Sequence, residues 1–263
     1  MAITTHSLFL LAGALYGLAL LTALAPDRRG RGPWAGMFLA SGLAVNLAVV
    51  AWRYHQAWPM LPMHLGAVAL PFCLGLLVPF AAGKAETYMA LTVRRILLAQ
   101  IVLLVGAALC FPKDFYLPFL KSRTLLAHGF LWFGLAGKGC FAVSAAWALA
   151  ALPLFRHAID NRQAAVAAMH RCQRWAALGF ALWTLSMFAG ELWSYLGWGT
   201  PVVWEDPALT LTMAAWFFYA GLLHLHLTRL WSLKSRVLYA SLGGLVLLSL
   251  TCVPDFGPFR APF

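Results

Sequence analysis

Charge is scarce in this chain. Asp, Glu, Lys and Arg together make 10% of its 263 residues, while 62% are hydrophobic and the mean hydropathy is +0.79. A soluble domain so apolar could not cover its own core, which leaves a polytopic membrane protein. Cysteine is sparse too: Cys73, Cys110, Cys140, Cys172 and Cys252 form no CxxC pair. That spacing argues against a disulfide framework, a zinc ribbon and thioredoxin-like redox chemistry. With no CxxCH, the chain does not itself carry a covalent c-type haem. Low-complexity tracts and internal repeats are missing, and no broken-helix pair speaks for a transporter.

What is present is a series of long apolar runs. Eight can be drawn, at 7–25, 34–52, 61–82, 95–111, 124–152, 174–192, 208–228 and 236–253. Each is about the length a helix needs to cross hydrocarbon. The expectation is an all-α helical bundle of about eight transmembrane helices forming a single domain over 1–263. Little chain remains outside the runs, so function must lie in the bundle and its short loops. The first run lacks a basic n-region and a small-residue cleavage site, and reads as a retained helix rather than a signal peptide. The stretch RHAIDNRQAAVAAMHRCQR, between the fifth and sixth runs, reads as a short amphipathic surface helix.

The net charge of +11 invites a nucleic-acid reading, but its distribution points to membrane topology instead. Alternate loops hold thirteen cations, including Arg28, Arg29, Arg31, Lys84, Arg94, Arg95, Arg171 and Arg236. The other loops and the tail hold five: Arg53, Lys113, Lys121, Arg123 and Arg260. By the positive-inside rule both termini lie outside the cytoplasm, in a bacterial cytoplasmic membrane. The partners are therefore the lipid bilayer and a ligand, with no nucleic acid.

The same topology puts WGTPVVWEDP, Trp198–Pro207, at the outer face, between the sixth and seventh runs. Tryptophan often anchors such loops. Trp193, Trp198 and Trp204 around a Gly-Thr-Pro turn also offer flat π surface for a planar, apolar ligand. Histidine adds to this. His128 and His64 fall near the outer ends of their runs. His224 falls ~24 Å along the seventh run, and an intramembrane imidazole is costly unless used. Two depths of histidine suggest two sites, and imidazole is the usual axial ligand of haem iron. Lys121, Arg123 and Arg53 could pair with haem propionates. His226, two residues from His224, points to another face and reads as structural.

These segments resemble a known family. WGTPVVW agrees at five of seven positions with W-G-T-W-W-V-W of the CcmC-like cytochrome c assembly proteins. Asp206-Pro207 followed by Trp216, Tyr219 and His224 is similar in spacing to the CcsA/ResC-like run W-D-P…W-x-x-Y…H. LKSRTLLAH resembles the LQSxWLxxH segment that leads into that family's external histidine. The resemblance covers roughly residues 110–230, with a WWD-type loop at 193–207. It implies that His128 is an external axial ligand and His224 the ligand of an inner site. Trp198, Gly199, Trp204 and Asp206 would form the platform, with Trp193 and Trp216 beside it. Three departures stand out: Pro201 and Val202 replace aromatics, Glu205 precedes Asp206, and LTCVPDFGPFRAPF holds no histidine where the family has its second external one. His64 is the substitute at that face. The inner partner would come from a CcsB-like membrane subunit, or locally from His170 or His157.

The function implied is haem handling in cytochrome c biogenesis. Non-covalent b-type haem would be bound, moved outward and presented for attachment to apocytochrome c or a haem chaperone. This would make the chain a component of a haem lyase or cytochrome c synthase. Two alternatives stand beside it. One is a HemX-like haem-binding membrane protein without ligation activity. The other is an eight-helix quinone-reactive or transport subunit.

Overall fold

A computed structural model describes residues 4–25, 32–61, 65–82, 87–110, 124–155, 162–200, 207–228 and 231–252; at 32, 162, 198 and 207–210 it describes the backbone alone. These residues form eight α-helices, one 3-10 turn at Leu152–Phe155, and no strand. The helices are α1 (Thr5–Leu24), α2 (Gly32–Ala57), α3 (Leu65–Ala82), α4 (Tyr88–Cys110), α5 (Leu125–Ala151), α6 (Arg162–Trp198), α7 (Pro207–Thr228) and α8 (Leu233–Cys252). Among the described residues, seven are long and apolar enough to span a bilayer. The helix outside that count, α7, is 22 residues long and carries His224 and His226 in its last two turns. The protein is a polytopic helical membrane protein, as its composition requires.

The chain divides into two compact units, Met1–Asp114 and Phe115–Phe263. In the first, each helix packs on the next and α4 returns to α1. Two polar contacts pin it: buried Asn46 donates to the Tyr16 hydroxyl at 3.3 Å, and Arg95 donates to the Ala23 carbonyl at 2.8 Å. A polar group shut away from water is costly without such a partner, and Asn46 Oδ1 is buried with none among the described residues.

In the second unit α5 packs on α6 and α8, α6 on α7, and α7 on α8. Helix α5 is the enclosed one: 72% of its most apolar stretch is buried, against 22% for α6 and for α8. Small residues explain this, because lipid tails are as apolar as leucine and helices associate by close packing. At Gly137 an added Cβ would stand 3.1 Å from the Trp183 backbone nitrogen and 3.2 Å from the Gly179 carbonyl oxygen. The α5 and α6 backbones therefore touch nearly directly, and a side chain there would require them to part by a few tenths of an ångström.

Two elements depart from the sequence expectation in extent. Helix α4 begins at Tyr88, and α6 runs 37 residues from Arg162 to Trp198. At ~1.5 Å per residue α6 spans roughly 56 Å, nearly twice a hydrocarbon core of about 30 Å. The amphipathic stretch expected to lie on the surface as its own short helix is, from Arg162 onward, the first part of α6.

Candidate functional site

The second unit carries most of the expected site residues, arranged by antiparallel packing. Phe130 of α5 meets Trp193 of α6 with ring centroids 6.0 Å apart, and Ser144 meets Cys172 at 3.2 Å. One end of the unit thus gathers the start of α5, the end of α6 and the start of α7. The other gathers the end of α5, the first turns of α6, the end of α7 and the start of α8.

At the first end, Thr124 caps α5. Its backbone is extended and its side chain accepts from the Ala127 amide at 3.3 Å. This satisfies an otherwise orphaned donor and fixes where the helix starts. His128 therefore sits in the opening turn of α5, half-buried. Trp193 is 5% exposed, and Ser186 donates to the Phe130 carbonyl at 2.7 Å. Trp193 is thus part of the packing that joins α6 to α5, below the surface. Its neighbour Ser194 donates to the Thr200 carbonyl at 2.8 Å.

Gly199 has φ +75°, and its amide donates to the Tyr195 carbonyl at 2.9 Å. That is a left-handed helix stop, in which the residue after the cap bonds back to the third residue from the end. Sequence reasoning placed Gly199 in the platform; the structure gives it a backbone task, ending α6 and turning the chain toward 201–206. Trp198 is described by backbone alone. Trp204 and Asp206, and on the histidine side His64, lie outside the described residues, as do Lys121 and Arg123.

Trp216 is not at this end. It lies ~14 Å along α7 from Pro207, half-buried, donating to the Thr184 hydroxyl at 3.0 Å and packed on Phe180 at 5.1 Å. Trp183 answers from α6 by donating to the Thr212 carbonyl at 3.2 Å, and the Lys138 ammonium lies 5.6 Å over its ring. These reciprocal indole bonds fasten α6 to α7. Deeper still, Tyr219 stacks on Phe141 at 3.6 Å, nearly parallel.

At the opposite end His224 is exposed, in the last turns of α7. His226 is different: its Nδ1 lies 3.2 Å from Arg236 Nη1 of α8, and its ring stands edge-on to His170 at 6.1 Å. The sequence marked His226 as structural but gave no sign of Arg236 as its partner, since helix order alone does not pair α7 with α8 residue by residue. His157 lies outside the described residues.

Among the described residues no group of three His, Cys, Asp or Glu could hold a metal ion. Of the described imidazoles, His128 is half-buried at one end of the second unit and His224 exposed at the other, and His6, His55 and His170 are exposed as well. Single accessible imidazoles suit axial ligation of an iron whose other four ligands belong to a porphyrin. The residues present fit the group.

Comparison with known proteins agrees in kind. A family model described as "Cytochrome C assembly protein" matches residues 61–252. A "Cytochrome c biogenesis protein CcsA" of Synechococcus sp. is 27% identical over 239 residues, covering 82% of this chain and 72% of the relative. Proteins of the same name from Prochlorococcus marinus and Pyropia yezoensis are 39% and 38% identical over 71 and 73 residues. Those two matches span about a quarter of each relative, 23% in both cases. No solved structure matches the chain.

Proposed function

The chain belongs to the cytochrome c assembly protein family, and from that membership we propose that it binds non-covalent haem and presents it at the outer membrane face. The recipient would be apocytochrome c or a haem chaperone. The reading is carried by one observation: the half-buried imidazole of His128 stands in the capped first turn of α5, at the end where α6 stops at Gly199. A ligand histidine must be held in orientation while staying reachable, and a helix-borne residue beside a defined turn meets both needs.

In this reading His128 and His224 would each hold haem iron through an imidazole nitrogen, at opposite ends of the second unit, and His64 would be a further iron ligand. Trp198, Trp204 and Asp206 form the platform. Trp193 is a positioning residue, since its ring locks α5 to α6 behind His128. Trp216 holds α7 against α6 and so sets the height of His224. When bound, haem contributes vinyl groups that react with cysteine thiols, a reaction helped mainly by holding the partners in place. No acid–base residue is asked of this chain. The inner sixth ligand is assigned to a CcsB-like membrane subunit. Both termini are assigned to the outside of a bacterial cytoplasmic membrane, from the loop cations.

The test is spectroscopic. Protein purified in detergent with haem supplied is expected to show a Soret band. His128→Ala and His224→Ala should each weaken haem retention by more than the roughly 10–100-fold that losing an outer-shell partner costs a metal site. A wild type with no Soret band, or variants whose spectra match it, overturns the proposal.

A further inference from the structure

A second group of residues, at the His226 end of the second unit, is not used by this reading. It comes from three helices: His170 and Arg171 on α6, His226 on α7 and Arg236 on α8. Arg236 Nη1 is 3.2 Å from His226 Nδ1. A guanidinium has only donors, so in this contact Nδ1 is the acceptor. His170 stands perpendicular to that ring at 6.1 Å. The Arg171 guanidinium lies 4.6 Å over the indole of buried Trp147, which fixes a second cation at the same end.

Nothing described there answers this charge. Arg236 Nε is buried and has no hydrogen-bond partner. Among the described residues Glu191 is the single carboxylate, and it lies near the far end of α6, ~31 Å from His170 along the helix. Two guanidiniums would repel a metal ion from the His170–His226 pair. They would attract an anion with several acceptor oxygens.

Beside the cluster an open, shallow surface is lined by Gln163, Val166, Ala167 and His170, all exposed. These positions are spaced i, i+3, i+4, i+7, so they form one stripe of α6. The stripe has a polar end at Gln163, an apolar floor at Val166 and Ala167, and His170 where it meets the basic cluster. Basic pockets between transmembrane helices are a recurring setting for acidic lipid headgroups.

We propose that His170, His226 and Arg236, with Arg171 at the rim, bind the phosphate headgroup of an anionic phospholipid. The site does not use His224, which belongs to a different face of α7 from His226, though His170 is also the local alternative for an inner haem partner.

The test uses the full chain in a neutral detergent, delipidated and then offered dioleoyl phosphatidylglycerol, dioleoyl phosphatidylcholine, inorganic phosphate or haemin. Bound lipid is counted by native mass spectrometry and thermal midpoints are followed by tryptophan fluorescence. Phosphatidylglycerol is expected to be retained and to raise the midpoint, with phosphatidylcholine and phosphate doing neither. Arg236→Gln and, separately, Arg171→Gln should each weaken retention roughly fivefold, about what one cation contributes near a membrane surface. Should Arg236→Gln fail to fold, exposed Arg171 and His170→Gln still carry the test. Equal retention of phosphatidylcholine, an equal shift with phosphate alone, or unchanged phosphatidylglycerol binding in the variants overturns the proposal. So does displacement of the lipid by haemin in a His224→Ala background, which would make the anion a haem carboxylate.

Discussion

Gly199 shows how one residue can hold two meanings. In the sequence it is the second letter of a tryptophan-rich motif; in the structure it is the left-handed stop of α6. A Cβ in that conformation costs about 1–2 kcal/mol. Gly199→Ala should lower the melting midpoint in detergent, while Gly199→Asn, which tolerates the left-handed region better, should lower it less. Equal effects would mean that the position is not conformationally constrained. Trp216 makes the complementary case. Its resemblance-based role was contact with a cofactor, yet its indole is occupied with Thr184. In a double-mutant cycle, Trp216→Phe with Thr184→Val should show a coupling of about 0.6 kcal/mol, the average for hydrogen bonds between membrane helices. The motif residues were legible in the sequence because aromatic and imidazole side chains are conspicuous between apolar runs. Their partners were not, since a hydrogen bond from residue 216 to 184 depends on the crossing of two helices rather than on spacing along one.

At the scale of the element, all eight runs are helices, because lipid leaves the backbone no other way to satisfy itself. Ends were read less well. Hydropathy marks the part of a helix that meets hydrocarbon and is silent about a polar continuation. The alanines of RQAAVAAMHRCQR favour helix, so α6 begins at Arg162, twelve residues before the apolar run does. The α4 start at Tyr88 has the same cause, with Arg94 and Arg95 inside the helix. Packing yields a sharp prediction. Gly137→Leu must push against the backbone of α6 and should cost about 1–3 kcal/mol as overpacking does. At Gly106 of α4 nothing lies within 4 Å of an added Cβ, so Gly106→Leu should be close to neutral. Paired thermal melts decide this, and a Gly106 variant as damaging as Gly137→Leu would overturn the packing account.

For the whole molecule, class and membrane character followed from composition, and kinship from a short motif set. Division into two packing units did not show in the sequence, where apolar runs look alike from end to end. Nor could sequence say which faces of α5 are enclosed, since its glycines acquire meaning only opposite Trp183 and Gly179. Loop charge does make a statement about the molecule as a whole that is open to measurement. With native cysteines replaced, Lys84→Cys and Trp58→Cys should react with a membrane-impermeant maleimide from opposite sides of intact vesicles, position 58 from the outside. Labelling of both from one side would overturn the orientation.

Helix α6 is longer than the lipid it crosses, and that has a mechanical consequence. It is held to α5 on both sides of the close glycine contact, at Phe130–Trp193 and at Ser144–Cys172, so the two helices tilt as one body. A tilt of about 10° there would swing each tip by roughly 5 Å in opposite directions. Whatever seats itself against Val166 and His170 on one arm thereby gains leverage over Trp198 and Gly199 on the other.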